Sequence, residues 1–283
     1  MTPLYARVIV VIAGQAELAD DLDMAKRLAV ISAEVALGFY GGQVRIETKA
    51  DGTPVSEADL AVDRALISEL RRSRPGDGYL SEESGRGGPD STRVWIIDPI
   101  DGTKGFLAQE PHWGSHIALE QDGEIVLGVV SRPVRGTQWW AGRGLGAYRG
   151  DLDPSSRSTA ERVSLSPVEK LNEARISGWK VDWMVDPLLA GASWFDCAYN
   201  ELTLVLEGKA EILVVPGHVW DHAPFVVLLE ESGGSFLNPD GGHRLERGLA
   251  YYTNGAVDAE LAQALWPEAA RPPRGAPNRH GVE

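Results

Sequence analysis

Residues Val94–Phe106 read VWIIDPIDGTKGF, an apolar run that ends in two aspartates, a proline and a glycine followed by a hydroxyl. Val94 to Ile97 has the unbroken apolar character of a strand buried on both faces, so Asp98 falls at its carboxyl end, where open α/β sheets place their ligand sites. Pro99 fixes one φ angle and offers no N–H, and Gly102 permits a tight turn that leaves the amides around Gly102 and Thr103 pointing outward. Outward amides of this kind bind anions. An anion beside Asp98 and Asp101 would be repelled unless divalent cations sat between them and reversed the local sign. The stretch therefore reads as half of a metal-and-phosphate site.

Composition bounds that reading. A chain of 283 residues can bury a sizeable core as one large α/β unit or two fused halves. The longest early apolar run, Val8 to Ala13, falls well short of the ~20 residues of a membrane helix and lacks a signal-peptide arrangement, so a cytoplasmic protein with no membrane contact is expected. The single cysteine, Cys197, excludes an internal disulfide and fits a reducing compartment, where it reads as a small buried hydrophobe. A formal charge of -14 and the lack of a basic stripe argue against nucleic acid as a partner.

Working outward, Asp20 to Phe39 has helical apolar spacing and closes at Gly41-Gly42, and Glu57 to Leu70 reads as a second helix. Tyr79-Leu80 reads as a strand. Ser115–Glu120 and Glu124–Ser131 flank Gln121-Asp122-Gly123 as a hairpin that Thr137–Ala141 and Ala147–Tyr148 extend. Asp151 to Glu161, rich in Ser, Pro and Asp, reads as a surface linker between an N-terminal half, 1–150, and a C-terminal half, 162–266. In the second half Phe195–Glu207 looks helical, Ala210–Val215 extended, and Trp220–Ser232 helical with Gly233-Gly234 as its stop; residues 267–283 form a Pro/Gly-rich tail. Such alternation favours a layered α/β architecture.

Other acids can converge on the first stretch. In LSEES, alternation at the end of a short strand turns one of Glu82 and Glu83 inward, and Glu82 is favoured. Asp59 and Asp221 each fall in the first turn of an expected helix, where an isolated acid is ordinarily a cap. Oxygen ligands from several elements are what a hard cation such as Mg²⁺ requires. His218 and His222 read as surface or capping residues, His112 and His116 as structural ones, and no His/Cys cluster suggests zinc.

In chain order, VSEAD, SEES, DPIDGTKGF and WDHAPFVVLLEESGG resemble the inositol monophosphatase superfamily of magnesium-dependent, lithium-sensitive phosphatases, over nearly the whole chain. The resemblance implies a layered αβαβα sandwich, a homodimer, two or three Mg²⁺ ions per subunit and a small phosphorylated metabolite as partner. It also implies that Glu82, Asp98 and the Ile100 carbonyl hold one ion, and Asp98, Asp101 and Asp221 a second. Gly102 and Thr103 would hold the phosphate, while Thr103, linked to Asp59, would orient the attacking water; Asp59, Thr103 and Glu82 form the implied catalytic set. A catalytically silent, metal-dependent binding protein would have lost one of these positions, and every one is filled.

The first half resembles the histidinol-phosphate phosphatase branch, so histidinol phosphate is the expected substrate, ahead of inositol or polyol phosphates and of nucleotide bisphosphates. Inositol-cleaving members carry a glutamate shortly before the W-D motif, where Leu213-Val214-Val215-Pro216 offers no acid. Asp196 resembles the acid of that branch's D-C-x-x-Y segment. It is expected on a cleft-facing helix, meeting the substrate ammonium with Trp194 or Phe195 stacking nearby.

Overall fold

The computed structural model describes residues 4–49, 52–156, 158–180, 192–197, 201–246 and 248–265. Helix α1 (Leu4–Leu37) begins well before the expected Asp20, because Leu4 to Ala19 contains no proline and only Gly14 to interrupt a helix. After the short hairpin β1 (Ile46–Thr48) and β2 (Pro54–Ser56), helix α2 (Glu57–Ser73) starts on Ser56, whose hydroxyl accepts from the amides of Ala58 and Asp59.

The first sheet contains β3 (Gly78–Ser81), β4 (Gly85–Gly87), β5 (Arg93–Asp101), β6 (Gly114–Gln121), β7 (Glu124–Arg132), β8 (Thr137–Gly142), β9 (Gly146–Asp151) and β10 (Glu161–Arg162). Their order is β10-β9-β8-β7-β6-β5-β3-β4, antiparallel except for β3 beside β5. Arg162 pairs with Tyr148, so the stretch expected to link two halves joins neighbouring strands of one sheet. The second sheet, in the order β12-β11-β13-β15-β14, is built from β11 (Arg175–Gly178), β12 (Ser193–Trp194), β13 (Ile212–Gly217), β14 (Ser235–Leu237) and β15 (Gly248–Thr253).

Between β5 and β6 lies the five-residue α3 (Thr103–Leu107), and between β13 and β14 the long α4 (Val219–Ser232), which ends on Gly233 at φ 89. Among the described residues three apolar cores separate the layers. Leu28, Val62 and Leu66 of α1 and α2 pack on Trp95, Ile97 and Leu127; Phe225, Val227 and Leu229 of α4 pack between the sheets with Val130 and Leu213; Leu261 of α5 (Asp258–Leu265) packs on Ile176, Val214 and Tyr251. The stacking is αβαβα. Among the described residues no helix is long and apolar enough to cross a membrane.

The expected helix at Phe195–Glu207 is a correction. Ser193-Trp194 pairs in parallel with β11, Phe195 to Cys197 has no helix, and Leu202 to Gly208 is a series of turns. Leu202, Leu204, Val205 and Leu206 are buried on every side, so their apolar run carried no period that could separate helix from turn. The tail from 267 lies outside the described residues.

Candidate metal and phosphate site

The site grows from an irregularity in β5. Asp98 pairs with His116 of β6, but Asp101 pairs with Gly114, so β5 holds one more residue than its partner between those points. Residues an odd number of positions apart face opposite sides of a strand, and the extra residue cancels that alternation and lets both aspartates leave on one side. Pro99, which has no N–H to donate, lies in the bulge, and its carbonyl accepts from Ser32 of α1 at 3.3 Å. Gly102 then turns into α3 at φ 80, and a side chain there would meet the His112 carbonyl at 3.1 Å.

Asp98 is 2 % exposed, and among the described residues neither its Oδ1 nor Asp101 Oδ2 has a hydrogen-bond partner. Glu82 is drawn to this strand end by its amide, which donates to the Ile97 carbonyl at 3.0 Å. Asp221 arrives from the first turn of α4, where its Oδ2 accepts from the His218 amide, and Gly217 keeps that approach open because a Cβ would stand 2.8 Å from the same oxygen. Burial, then the charges of Glu82, Asp101 and Asp221, push the Asp98 carboxyl well above the usual range. Burial likewise raises Asp101 to about 7, with Arg132 opposing and Asp221 and Glu82 adding to the rise, and Asp221 is raised by burial and by Glu82. Orphaned oxygens on mutually repelling, buried acids fit a divalent cation.

The neighbouring edge already carries a cation. Lys49 Nζ donates to Glu82 at 2.7 Å and to Glu83 at 2.8 Å. Burial alone would lower the Lys49 pKa, but the two carboxylates hold it above its ordinary value, while burial lifts Glu83 to about 7. Glu82 and Glu83 therefore turn toward one ammonium, not to opposite sides as expected. The strand stops at Ser81, and alternation does not extend into the turn beyond it.

Asp59 is fully buried. Its Oδ2 accepts from the Ser56 hydroxyl at 2.6 Å and amide at 2.7 Å, and its Oδ1 from Thr103 Oγ1 at 3.1 Å. The same hydroxyl lies 3.2 Å from the Ile100 carbonyl. Burial raises the Asp59 pKa against the pull of these hydrogen bonds.

Beyond Asp101 is a group that sequence reasoning missed. Arg132, fully buried, has Nη2 3.5 Å from Asp101 and Nε 3.5 Å from Glu201, with His116 Nε2 3.4 Å from Asp101. Glu201 also takes His112 Nδ1 at 2.7 Å and Arg135 Nη1 at 3.0 Å. The available signal was a lone arginine closing the apolar run IVLGVVSR. A cavity of about 510 Å³ between α1 and the β8–β9 edge, lined by Lys26, Gln138 and Trp140 among others, holds none of these acids.

Asp196 is the second correction. No helix carries it. It follows β12 with its side chain 85 % exposed, bonded to Trp194 Nε1 at 3.0 Å and Lys180 Nζ at 3.2 Å, and Lys180 also covers the Trp194 ring. Its carboxyl is held below the usual range by Trp194 and then Lys180.

The chain is matched over residues 17–270 by the model of the inositol monophosphatase family. It is 43 % identical over 84 % of its length to 93 % of a Streptomyces griseus protein named glucose-1-phosphate thymidylyltransferase. It is 38 % identical over 87 % of its length to 98 % of the histidinol-phosphatase of Mycobacterium tuberculosis. Among solved structures, an IMPase of Thermotoga maritima superposes with a TM-score of 0.74 at 25 % identity, covering 87 % of this chain and 96 % of that one.

Proposed function

Because the chain belongs to the inositol monophosphatase family and is a phosphoric monoester hydrolase, we propose that it hydrolyses histidinol phosphate to histidinol and phosphate with Mg²⁺. The observation that carries the chemistry is the convergence of Glu82, Asp98, Asp101 and Asp221 with two buried carboxylate oxygens that make no hydrogen bond among the described residues. The substrate is supported by likeness to the M. tuberculosis histidinol-phosphatase over nearly its full length. The thymidylyltransferase name of the S. griseus relative stands apart from the family match and from that phosphatase.

Glu82, Asp98 and the Ile100 carbonyl would hold one cation, and Asp98, Asp101 and Asp221 another. When bound, the cations supply positive charge to the phosphate and the departing alkoxide and ease ionisation of water. The amides of Gly102 and Thr103 receive the phosphate. Thr103 Oγ1, held by Asp59, orients the attacking water and passes its proton toward Asp59. We further assign the enzyme to the cytoplasm as a homodimer, a compartment that the free Cys197 supports.

The test is phosphate release from histidinol phosphate, inositol 1-phosphate, fructose 1,6-bisphosphate and 3′-phosphoadenosine 5′-phosphate, each with Mg²⁺ and with EDTA. Histidinol phosphate should give the highest kcat/KM, and EDTA should abolish every activity. A polyol phosphate in first place would replace the substrate assignment, and turnover in EDTA would remove the cations from it.

A further inference from the structure

The loop that carries Glu82 is tied to helix α2 by an acid that the cation reading leaves unused. Both serines of the SEES motif turn to one carboxylate oxygen: Ser81 Oγ donates to Asp63 Oδ1 at 2.5 Å and Ser84 Oγ donates to it at 3.3 Å. Asp63 is 5 % exposed, and Ser81 is fully buried. Ser81 pairs with Gly85 across the β3–β4 hairpin, so Glu82, Glu83 and Ser84 form the loop between them. Gly85 closes it at φ 69, the left-handed conformation that three-residue hairpin loops ordinarily end on.

Given the cation site above, we propose that Asp63 is a positioning residue for the Glu82 cation, pinning the serines on either side of Glu82 and Glu83 so that Glu82 stays at the acid cluster before an ion arrives. Asp98 and Asp101 stand on a strand and Asp221 on a long helix, whereas Glu82 stands on a short loop. Mutual repulsion among the four acids therefore displaces Glu82 most easily. The backbone opposes this at one point, where the Glu82 amide donates to the Ile97 carbonyl. Asp63 opposes it through a chain: the Glu83 amide donates to Ser81 Oγ at 3.3 Å, and that hydroxyl donates onward to the carboxylate.

Helix α2 makes the anchor part of the catalytic frame. Asp59 and Asp63 lie four residues apart, on one face of the helix, and both are buried. Asp59 holds Thr103, and Asp63 holds the Glu82 loop. One helix thus fixes the spacing between the hydroxyl that orients water and the first cation.

Calorimetric titration of Mg²⁺ into the full-length protein without substrate tests this, with Glu82→Gln marking the binding step that belongs to Glu82. Asp63→Ala should weaken that step by ~10- to 100-fold, the usual loss when a group that orients a metal ligand is removed, and leave kcat at saturating Mg²⁺ near the wild-type value. Asp63→Asn keeps an oxygen for both hydroxyls and should restore most of the affinity. Ser81→Ala added to Asp63→Ala should weaken binding little further, since both break one bond. Wild-type Mg²⁺ affinity in Asp63→Ala, whatever its stability in urea, would overturn the inference. So would Asp63→Asn behaving as Asp63→Ala, which would reduce the contribution of Asp63 to its charge. A wild type that binds no Mg²⁺ would overturn the cation site on which the inference rests. Should Asp63→Ala fail to fold, Ser81→Ala is titrated in its place, with the same weakening expected and an unchanged affinity decisive against it.

Discussion

The acid cluster has two unlike flanks. On the side of α2 and β3, both oxygens of Asp59 are bonded, Lys49 spans Glu82 and Glu83, and Thr103 is held between Asp59 and the Ile100 carbonyl. On the side of β6 and β7, Asp98 Oδ1, Asp101 Oδ2, His116 Nδ1 and both Arg132 Nε and Nη2 are buried without a hydrogen bond among the described residues, the Arg132 contacts to Asp101 and Glu201 being ion pairs at 3.5 Å. Buried polar groups in folded proteins are nearly always paired, so the first flank is a finished frame and the second is finished only when something binds. Rigidity on one side and unmet demand on the other suit a site that must hold cations without collapsing around them.

Asp98 is the ligand that the two proposed cation positions share, so Asp98→Asn should have the largest effect. It removes charge from both proposed cation positions, and a loss of roughly 10³-fold or more in kcat/KM, with weakened binding at both, is expected. Near-normal turnover at saturating Mg²⁺ would remove the distinction between a shared ligand and its neighbours.

Glu201→Gln breaks the second flank away from the chemistry. It strips Arg132 and Arg135 of their common carboxylate, and leaving a buried charge unpaired destabilises a fold by ~3–5 kcal/mol. Urea unfolding at neutral pH measures this. Burial would raise the Glu201 pKa, but Arg132, Thr203, His112 and Arg135 together hold it down at about 2, from an ordinary 4.5. A depressed acid contributes stability that is present in full above pH 4.5 and is lost as the pH falls toward 2. That shift corresponds to about 3 kcal/mol, so the wild type and Glu201→Gln should converge in stability at the acid end. Parallel curves from pH 7 to pH 2.5 would show that Arg132 does not depend on Glu201.

On the first flank, Thr103→Ala removes a hydroxyl from a frame that stays otherwise intact. A fall in kcat of ~10²-fold with little change in cation affinity is expected, the least that a positioned proton-transfer partner commonly contributes. Lost cation binding with normal turnover at saturating Mg²⁺ would make Thr103 part of the metal scaffold instead.

The two flanks also differed in legibility. Asp59, Glu82, Asp101, Thr103 and Asp221 stand at element ends and Asp98 just before the proline of the β5 bulge, where caps, turns and that proline mark positions that a sequence can announce, and the hairpin around Asp122-Gly123 was equally plain. His116 and Arg132 lie within or at the end of strands whose surroundings are apolar, and their meaning comes only from the β5–β6 and β6–β7 pairings, with His116 opposite both Asp98 and Val130. Glu201 comes from 69 residues beyond Arg132 in sequence, across the gap between the sheets. No local pattern encodes such a contact. The turns at Leu202–Gly208 failed for a related reason, since burial on all sides erases periodicity.

Asp196 tests whether the comparison extends to the substrate. An acid that recognises an ammonium should be desolvated when it does so, as the buried groups of the second flank are, yet this carboxylate is 85 % exposed and already paired with Lys180. Exposed pairs contribute little, so Asp196→Asn should change kcat/KM for histidinol phosphate by less than ~5-fold, and a neutral polyol phosphate by the same factor. Contact with the substrate ammonium would instead give a ~10- to 100-fold loss on histidinol phosphate alone, the magnitude of a charged hydrogen bond removed from a dry site. That outcome would mean that the Lys180 pair opens when substrate binds, and that the specificity of this enzyme lies on the second sheet's parallel edge, away from both flanks of the acid cluster.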